Sequence, residues 1–403
     1  MTDPIDPVRR SWTTATGTAL RVAQEVLLHG PLSRAELARR FDLTPGTLTR
    51  ITKALMAEGV LTDAAATGAT SATFATSAGG TPRTSVIADE TRLGRPSQPL
   101  DVVGDGLEFV GVKVTGDHAY AVRTTVRAEV LRSADADLPS ADPAAVSDVV
   151  ADLVARMGDG VARVGVSVGG HVSASAVRHG PFLDWHDVPF GTLLAERLGR
   201  APVLSNDVVA VTEATHWFGE ARGRDRFALV TIGAGTGLGL VTHGRIVTDD
   251  DVGLGLVGHL PLDPSGPPCH LGHRGCADAV LTTSAVATAA SDALGRSLTY
   301  EEALALAQAG DPASRRVVDA AARHLGHVVA LVANITMPQL VVVGGEGATL
   351  MGVAGAVVRD AVAAMRDPRA TPVPITVQEG GLAAWARGAA VIAIQDFVGA
   401  RQP

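Results

Sequence analysis

SRAELARRFDLTPGTLTRITKALMAEGVL, residues 33–61, contains the start signals of two short helices separated by a tight turn. Ser33 and Glu36 form the pattern of a capping box, in which each side chain satisfies a backbone amide at the start of a helix. Thr44 and Pro45 provide a second N-cap and a proline at the first helical position. Two short helices in this order predict a helix-turn-helix, whose second helix enters the major groove of DNA.

The segments on either side extend this pattern to a winged domain. Apolar residues at helical spacing predict a helix over residues 20–27. Residues 59–62 and 93–100 are the expected outgoing and returning strands of the wing. Between them, residues 64–92 are rich in Ala, Thr, Ser and Gly, which predicts a mobile insertion. We therefore expect a winged helix-turn-helix domain over residues 1–100.

The second short helix predicts a polar face suited to DNA. At about 100° per residue, Leu48, Ile51 and Leu55 share the buried side, while cations, a hydroxyl and a glycine share the other. Arginine can read guanine edges and lysine can contact phosphate. The candidate DNA-binding residues are Ser33, Arg34, Thr44, Gly46, Thr47, Thr49, Arg50 and Lys53, with Arg95 at the wing tip. The alternatives are a helical bundle without a ligand and, for the wing, an ordinary linker arginine.

Composition and charge limit the classes of protein that fit the chain. Its 403 residues, 46% hydrophobic and 19% charged, suit two or three folded domains and exclude a disordered chain. Two cysteines exclude a disulfide framework, and the sequence predicts neither a signal peptide nor a membrane span, so we expect a cytoplasmic protein. Residues 1–100 carry a net charge of +2 and the remainder −10, which permits nucleic-acid contact by the head and disfavours it for the body.

From residue 108 onward, short valine-rich strands alternate with helical stretches, which is typical of an α/β architecture. A strand–glycine–strand opening occurs at residues 109–122 and again at 227–241, which indicates two related lobes. The glycines of residues 233–239 would let backbone amides approach an anion, although tight turns use the same residues. Asn206 and Asp207 follow a strand, where they suit either a hydrogen bond to a sugar hydroxyl or a helix N-cap.

Both cysteines of the chain and three histidines lie in one short stretch, among prolines and glycines that predict a loop. Cys269, His273 and Cys276, with His259 upstream, provide the four nitrogen and sulfur ligands that structural Zn²⁺ prefers. A reducing cytoplasm disfavours a disulfide, and the spacing of the cysteines disfavours a redox pair. We therefore predict a structural zinc site, with His270 as the alternative to His273 for the fourth ligand.

Taken in order, these motifs resemble the ROK family (repressors, open reading frames and kinases), in particular its transcriptional repressors of sugar metabolism. The winged head, the Asn-Asp segment of residues 206–223, the glycine turn of residues 233–241 and the cysteine-histidine segment of residues 258–278 carry the resemblance. It implies that the body has the two-lobed actin-like ATPase (ribonuclease H-like) architecture.

The resemblance also implies an organisation and a function. The first α/β lobe would span residues 101–212 and be joined by a helix over 386–403, and the second, with the zinc loop and a dimerisation surface, would span 213–385. A sugar or sugar derivative in the cleft would control a homodimer, or a tetramer, on double-stranded operator DNA. The effector contacts implied are Asn206, Asp207, His259 and Asp278.

Several residues depart from the family pattern. Lys113 stands where the first phosphate turn carries an aspartate, and Leu256 where a glutamate contacts sugar. Leu271 replaces a cysteine, and the last acid is Asp278 rather than glutamate. Phosphoryl transfer depends on positioning phosphates and metal, so we expect a sugar-responsive repressor without kinase activity, in which Asp207, the base of the kinases, is kept for sugar binding. The alternatives are an ATP-dependent sugar kinase with a DNA-binding head, and an activator or architectural factor.

Overall fold

The structure, a computed structural model, describes Trp12, residues 15–64 and residues 98–401. They form two compact units, the first up to residue 106 together with the chain beyond 396, and the second from 107 to 396. The first boundary therefore lies six residues after the predicted end of the winged domain at residue 100. Arg95 and all but the first residue of the predicted insertion lie outside the described residues.

The first unit contains three helices and a two-stranded wing: α1 (Gly17–His29), α2 (Arg34–Phe41), α3 (Pro45–Ala57), β1 (Leu61–Asp63) and β2 (Leu100–Val102). Ser33 and Glu36 form the predicted capping box of α2, and Thr44 caps α3. The helices pack through apolar side chains that include Val22, Val26, Leu27, Leu37, Leu48 and Leu55. The prediction of a winged helix-turn-helix is confirmed.

Of the returning wing strand predicted over residues 93–100, the structure describes only residues 98–100. Within these, β2 begins at Leu100 and pairs antiparallel with β1, placing Val102 opposite Leu61. Leu100 also forms an antiparallel bridge with Leu32, so both of its neighbours are backbone segments of the same unit. The buried leucine and valine therefore define the strand, whereas Pro99, which has no N–H to donate, precedes it.

The second unit contains two five-stranded sheets, and we call each sheet with its helices a lobe. The first lobe consists of β3 (Glu108–Val114), β4 (His118–Thr125), β5 (Val130–Asp137), α4 (Pro143–Met157), β6 (Val161–Val168), β7 (His171–Val172), β8 (Val177–Gly180), β9 (Trp185–Val188), α5 (Phe190–Leu198) and β10 (Val203–Asn206). Strands β7 to β9 form a separate small sheet. Valines of the large sheet pack against the apolar faces of α4 and α5.

The second lobe follows α6 (Asp207–Phe218) and consists of β11 (Phe227–Ile232), β12 (Thr236–Thr242), β13 (Arg245–Ile246), α7 (Ala277–Leu281), α8 (Thr283–Leu294), α9 (Tyr300–Gln308), α10 (Pro312–Thr336), β14 (Val341–Gly344), α11 (Leu350–Ala364) and β15 (Ile375–Val377). The last helix, α12, covers Gly381–Phe397. The core of this lobe joins β11 and β14 to the long helix α10 and to α11.

The two large sheets share one plan. Strand β3 pairs antiparallel with β4 and parallel with β6, and β11 pairs antiparallel with β12 and parallel with β14. This repetition confirms the predicted two-lobed α/β body. Helix α12 begins five residues before the predicted start at 386 and lies on the first-lobe sheet, where a Cβ at Gly111 or Gly165 would collide with its backbone.

Among the residues that the structure describes, one helical segment, Glu346–Ala364, is long and apolar enough to cross a membrane, with a mean hydropathy of 1.3. Leu350, Ala354 and Val358 of this segment lie in the core of the second lobe. Its composition is therefore that of a helix buried in a folded domain, and it does not indicate a membrane span.

Candidate functional site

Helix α3 has the predicted exposed polar side, but its buried side differs from the prediction because Ile51 is only half-buried and Thr52 is buried. Gly46, Thr49, Arg50 and Lys53 are exposed, and no atom lies within 4 Å of a Cβ placed on the glycine. The opposite side is buried through Leu48, Thr52 and Leu55. Because long cationic side chains and an open glycine share the solvent side, the phosphates of a DNA duplex can approach this surface closely.

The other candidate DNA contacts in this unit make hydrogen bonds within it. The Ser33 hydroxyl donates to the carboxylate of Glu36 at 2.7 Å, and the hydroxyl of Thr44 accepts from the backbone amide of Thr47 at 3.3 Å. Arg34 donates from Nε to the Thr52 hydroxyl at 3.3 Å. These side chains fix the starts and the mutual packing of α2 and α3, and so position the exposed face of α3.

A cleft with a volume of about 1780 Å³ lies between the two lobes of the second unit. Its lining includes the β3–β4 turn of the first lobe, the glycine turn 233–235 of the second lobe and the start of α6. The four predicted effector contacts, Asn206, Asp207, His259 and Asp278, all line it. The size exceeds that of a typical small-ligand pocket, so a monosaccharide or a larger sugar derivative has room to enter.

Asp207 is committed to an ion pair. Its Oδ2 accepts a hydrogen bond from the Lys113 ammonium group, and its Oδ1 accepts from the backbone amide of Val208 at 2.8 Å. The two charged side chains are only 12% and 7% exposed, and the ammonium group also lies 5.4 Å from the ring centroid of Trp385. A ligand hydroxyl that reaches this carboxylate must therefore share it with the Lys113 ammonium group.

Asn206 supplies the N-cap of α6. Its Oδ1 accepts from the backbone amide of Val209 at 3.0 Å, and its Nδ2 donates to the carbonyl of Gly170 at 2.9 Å. The sequence left a capping role and a ligand-binding role open for this segment, and the structure gives Asn206 the cap. One N–H of the amide is not used by these two bonds and is available to a ligand.

Asp278 links two parts of the second lobe. Its Oδ1 accepts from the backbone amide of Thr236, in the strand after the glycine turn, at 2.8 Å. Its carboxylate also packs against Gly258, where a Cβ would collide with it. Leu256, in the 3₁₀ turn Leu256–His259 beside this contact, is 62% exposed and lines the cleft.

Four of the five cysteine and histidine side chains of the loop converge. Ligand atoms of His259, Cys269, His273 and Cys276 lie within 4.8 Å of one another, whereas His270 does not belong to this group. The Nδ1 atom of His259 lies 3.7 Å from the Sγ atom of Cys269. Two thiols and two imidazoles at this separation form a group that could hold a metal ion.

The two thiols differ in acidity. Desolvation acts to raise the pKa of Cys269, but backbone amides around it and the second thiol outweigh this, so its pKa is lowered. Desolvation and the neighbouring thiol raise the pKa of Cys276. Backbone amides that stabilise a thiolate are a common feature of cysteine metal sites, because the thiolate is the ligand.

Two cleft residues, Phe182 and Glu346, were not selected from the sequence as site residues, although Glu346 lies in a glycine-rich turn after a strand. Phe182 is 48% exposed and lies beside the glycines of both lobes, with its Cζ atom 3.7 Å from a Cβ built on Gly235. Glu346 extends to Gly233 at the opposite side of the glycine turn. Both positions depend on contacts between distant segments. Lys113 stood out as a departure from a family pattern, but its pairing with Asp207 did not.

Two protein-family models match the sequence of this chain. The ROK family model matches residues 109–396, and a winged helix-turn-helix DNA-binding model matches residues 18–62. The glucokinase of Thermotoga maritima is 33% identical over 223 residues, which cover 49% of this chain and 68% of that protein. The DNA-binding transcriptional dual regulator NagC of Escherichia coli is 23% identical over 79% of this chain and 77% of its own length.

A solved structure of a ROK family transcriptional regulator, described as a homologue of the Escherichia coli Mlc protein, has the same fold. It superposes with a TM-score of 0.74 and 21% identity, covering 97% of this chain and 98% of that one. The likeness therefore includes the head as well as the body.

Proposed function

The chain belongs to the ROK family, and on that premise we propose that it is a DNA-binding transcriptional regulator controlled by a sugar or sugar derivative, acting as a repressor of carbohydrate-metabolism genes. The observation that carries the proposal is the pair of contrasting sites: an exposed cationic face on α3, and a cleft whose Asp207 is held by Lys113. The first supports binding to DNA, and the second supports ligand binding without phosphoryl transfer.

The proposed effector enters the cleft as a polyhydroxylated ligand. Asp278, Asp207 and the remaining N–H of Asn206 are the polar groups offered to its hydroxyls. The half-exposed ring of Phe182 offers an apolar surface to the C–H face of a sugar. His259, with Nδ1 towards Cys269, retains Nε2 for a hydroxyl if Nδ1 ligates the metal.

The proposed metal is structural Zn²⁺ held by His259, Cys269, His273 and Cys276. The convergence of these side chains and the preference of zinc for two thiolates and two imidazoles support the choice. The ion would fix the loop that carries His259, and so position the sugar contact on that side chain. Its chemistry there is that of a closed structural site, with no role in catalysis.

We propose that the regulator acts as a homodimer, or a tetramer, in the cytoplasm, where operator DNA lies. Two copies of α3 in a dimer would read half-sites about 34–36 Å apart, or multiples of that distance. Arg50 is assigned to base edges and Lys53 to phosphate. Arg95 keeps its predicted role at the wing tip.

The test uses the full chain and genomic DNA. Fragments retained by the protein are sequenced, and the affinity for one retained fragment is then measured by fluorescence anisotropy with a panel of sugars. Specific retention, followed by a change in affinity with one sugar, supports the proposal. If the protein retains no sequence in preference to others, the regulatory function is refuted.

A second candidate, an ATP-dependent sugar kinase with a DNA-binding head, is favoured by the 33% identity to a glucokinase. The Lys113–Asp207 pair argues against it, because a kinase base must accept the proton of the sugar hydroxyl. Turnover of Mg–ATP with a panel of hexoses distinguishes the two candidates. Sugar-dependent formation of ADP by the wild-type chain would establish the kinase.

A further inference from the structure

Glu346 places a carboxylate at the opening of the glycine turn of the second lobe. A Cβ at Gly233 would collide with its Oε2 atom. The loop that carries this side chain is fixed in place, because Gly345 has a φ of 85° in close contact with β11 and Tyr300 donates its hydroxyl hydrogen to the carbonyl of Gly347 at 2.8 Å. The carboxylate is therefore held at the turn by the fold.

Two backbone amides of this turn, those of Gly233 and Thr236, have partners within the chain. The amide of Gly233 donates to the carbonyl of Gly235 at 3.0 Å, and the amide of Thr236 donates to the carboxylate of Asp278 at 2.8 Å. A phosphate that binds to a glycine turn needs such amides as donors. Here a carboxylate of the chain takes one of them, and a second carboxylate lies over the first glycine.

The charged side chains around the glycine turn also disfavour a phosphate there. Among the cleft-lining residues that the structure describes, Lys113 is the one lysine or arginine, and it is paired with Asp207. The carboxylates of the lining belong to Asp117, Asp207, Asp249, Asp251, Asp263, Asp278, Asp292 and Glu346. Desolvation, Asp117 and Glu346 all raise the pKa of the Tyr120 hydroxyl, which indicates negative potential from both lobes at this end.

We infer that the carboxylate of Glu346 repels the phosphates of a nucleotide and so keeps them away from the glycine turn. Two like charges about 4 Å apart repel strongly enough, at the effective dielectric of a protein site, to change an affinity by an order of magnitude or more. A nucleoside triphosphate brings several such charges. Only one consequence rests on the proposed function, namely that the response to sugar proceeds without ATP.

The test measures nucleotide binding directly and needs neither DNA nor the effector. A trinitrophenyl derivative of ATP is titrated against the full chain with Mg²⁺, and bound probe is displaced with unlabelled Mg–ATP. The variants are Glu346→Gln, which keeps the size of the side chain, and Glu346→Gly, which removes it. Asp292→Asn is the matched control, because Asp292 is an exposed carboxylate of the cleft lining away from the turn.

We expect no displaceable binding to the wild-type chain or the control, and a gain of about tenfold or more in affinity for Mg–ATP in both Glu346 variants. Thermal unfolding and DNA retention, unchanged in the variants, would show that they fold. Tight displaceable binding by the wild-type chain overturns the inference. So does the absence of any gain in the two folded variants, and neither result affects the proposed response of DNA affinity to sugar.

Discussion

The exposed face of α3 and the cleft of the body both contain cationic side chains, but the surroundings of these side chains differ. Arg50 and Lys53 are exposed, whereas Lys113 is buried and contacts the carboxylate of Asp207. An exposed cation remains available to an external phosphate, since water screens it from distant acids. A buried cation must be matched by an internal charge, because leaving it alone in a low dielectric costs several kcal/mol. Burial, and not residue type, therefore decides whether a cation stays available to an anion from outside the chain.

The largest expected effect concerns the proposed zinc site, whose residues His259 and Cys269 line the cleft. Cys276→Ser removes a buried thiol of the proposed zinc site, and we expect zinc to be lost from the purified protein. Loss of a structural ion destabilises the folded chain by about 4 kcal/mol when free zinc exceeds its dissociation constant a thousandfold. Elemental analysis and thermal unfolding measure both effects. His270→Gln is the control, and zinc-free wild-type protein would contradict the assignment.

The next effect compares two lysines. Lys113→Met leaves the carboxylate of Asp207, which is only 12% exposed, without its partner, and we expect a loss of about 3 kcal/mol in the free energy of unfolding. The double variant Lys113→Met/Asp207→Asn should recover much of that loss, because no uncompensated charge remains. Lys53→Met, at an exposed position, should change stability by less than about 0.5 kcal/mol. Equal effects of the two lysine variants on urea unfolding would remove the distinction between the sites.

Within the head, arginine and lysine are expected to act differently. Arg50→Ala should weaken binding to the selected operator by about 2 kcal/mol and relax its sequence preference. Lys53→Ala should weaken binding to all sequences similarly and reduce the salt dependence by about one ion. Anisotropy titrations at several salt concentrations separate the two effects. If neither variant alters binding to the operator, α3 is not the recognition helix.

The sequence predicts those features of the head and of the cleft that depend on residues close together in the chain. The helices of the head have their caps and stop signals within a few residues, so α2 and α3 are found where predicted. The four converging side chains of the loop were also selected, since the ligands lie close together in the chain. The pair of Lys113 and Asp207, by contrast, joins residues 94 apart, and only the register of β3, β6 and β10 brings them together. The start of β2 at Leu100 could not be predicted, because its pairing with β1 and Leu32 depends on tertiary contacts.

The smallest effect concerns an exposed site in the first lobe. Desolvation acts to lower the pKa of His118, but its hydrogen bonds to Asp135 and Asp137, at 3.0 and 2.8 Å, outweigh this and raise the pKa. The resulting stabilisation is therefore complete below the unfolded pKa of about 6.5 and is lost as the pH rises through the higher folded value. We expect His118→Gln to cost less than about 1 kcal/mol at pH 5.5 and nearly nothing at pH 8.5. A cost that does not depend on pH in chemical unfolding would contradict the assignment.

The proposed coupling between the cleft and the head is tested most directly by reciprocal binding of sugar and operator to one preparation of the full chain. Calorimetry gives the dissociation constant of the active sugar with and without saturating operator, and anisotropy gives that of the operator with and without saturating sugar. We expect each ligand to weaken the binding of the other by the same factor, because one coupling free energy joins the cleft and the head. If both sugar and operator bind, but the sugar dissociation constant is the same within error with and without saturating operator, the proposed coupling is contradicted.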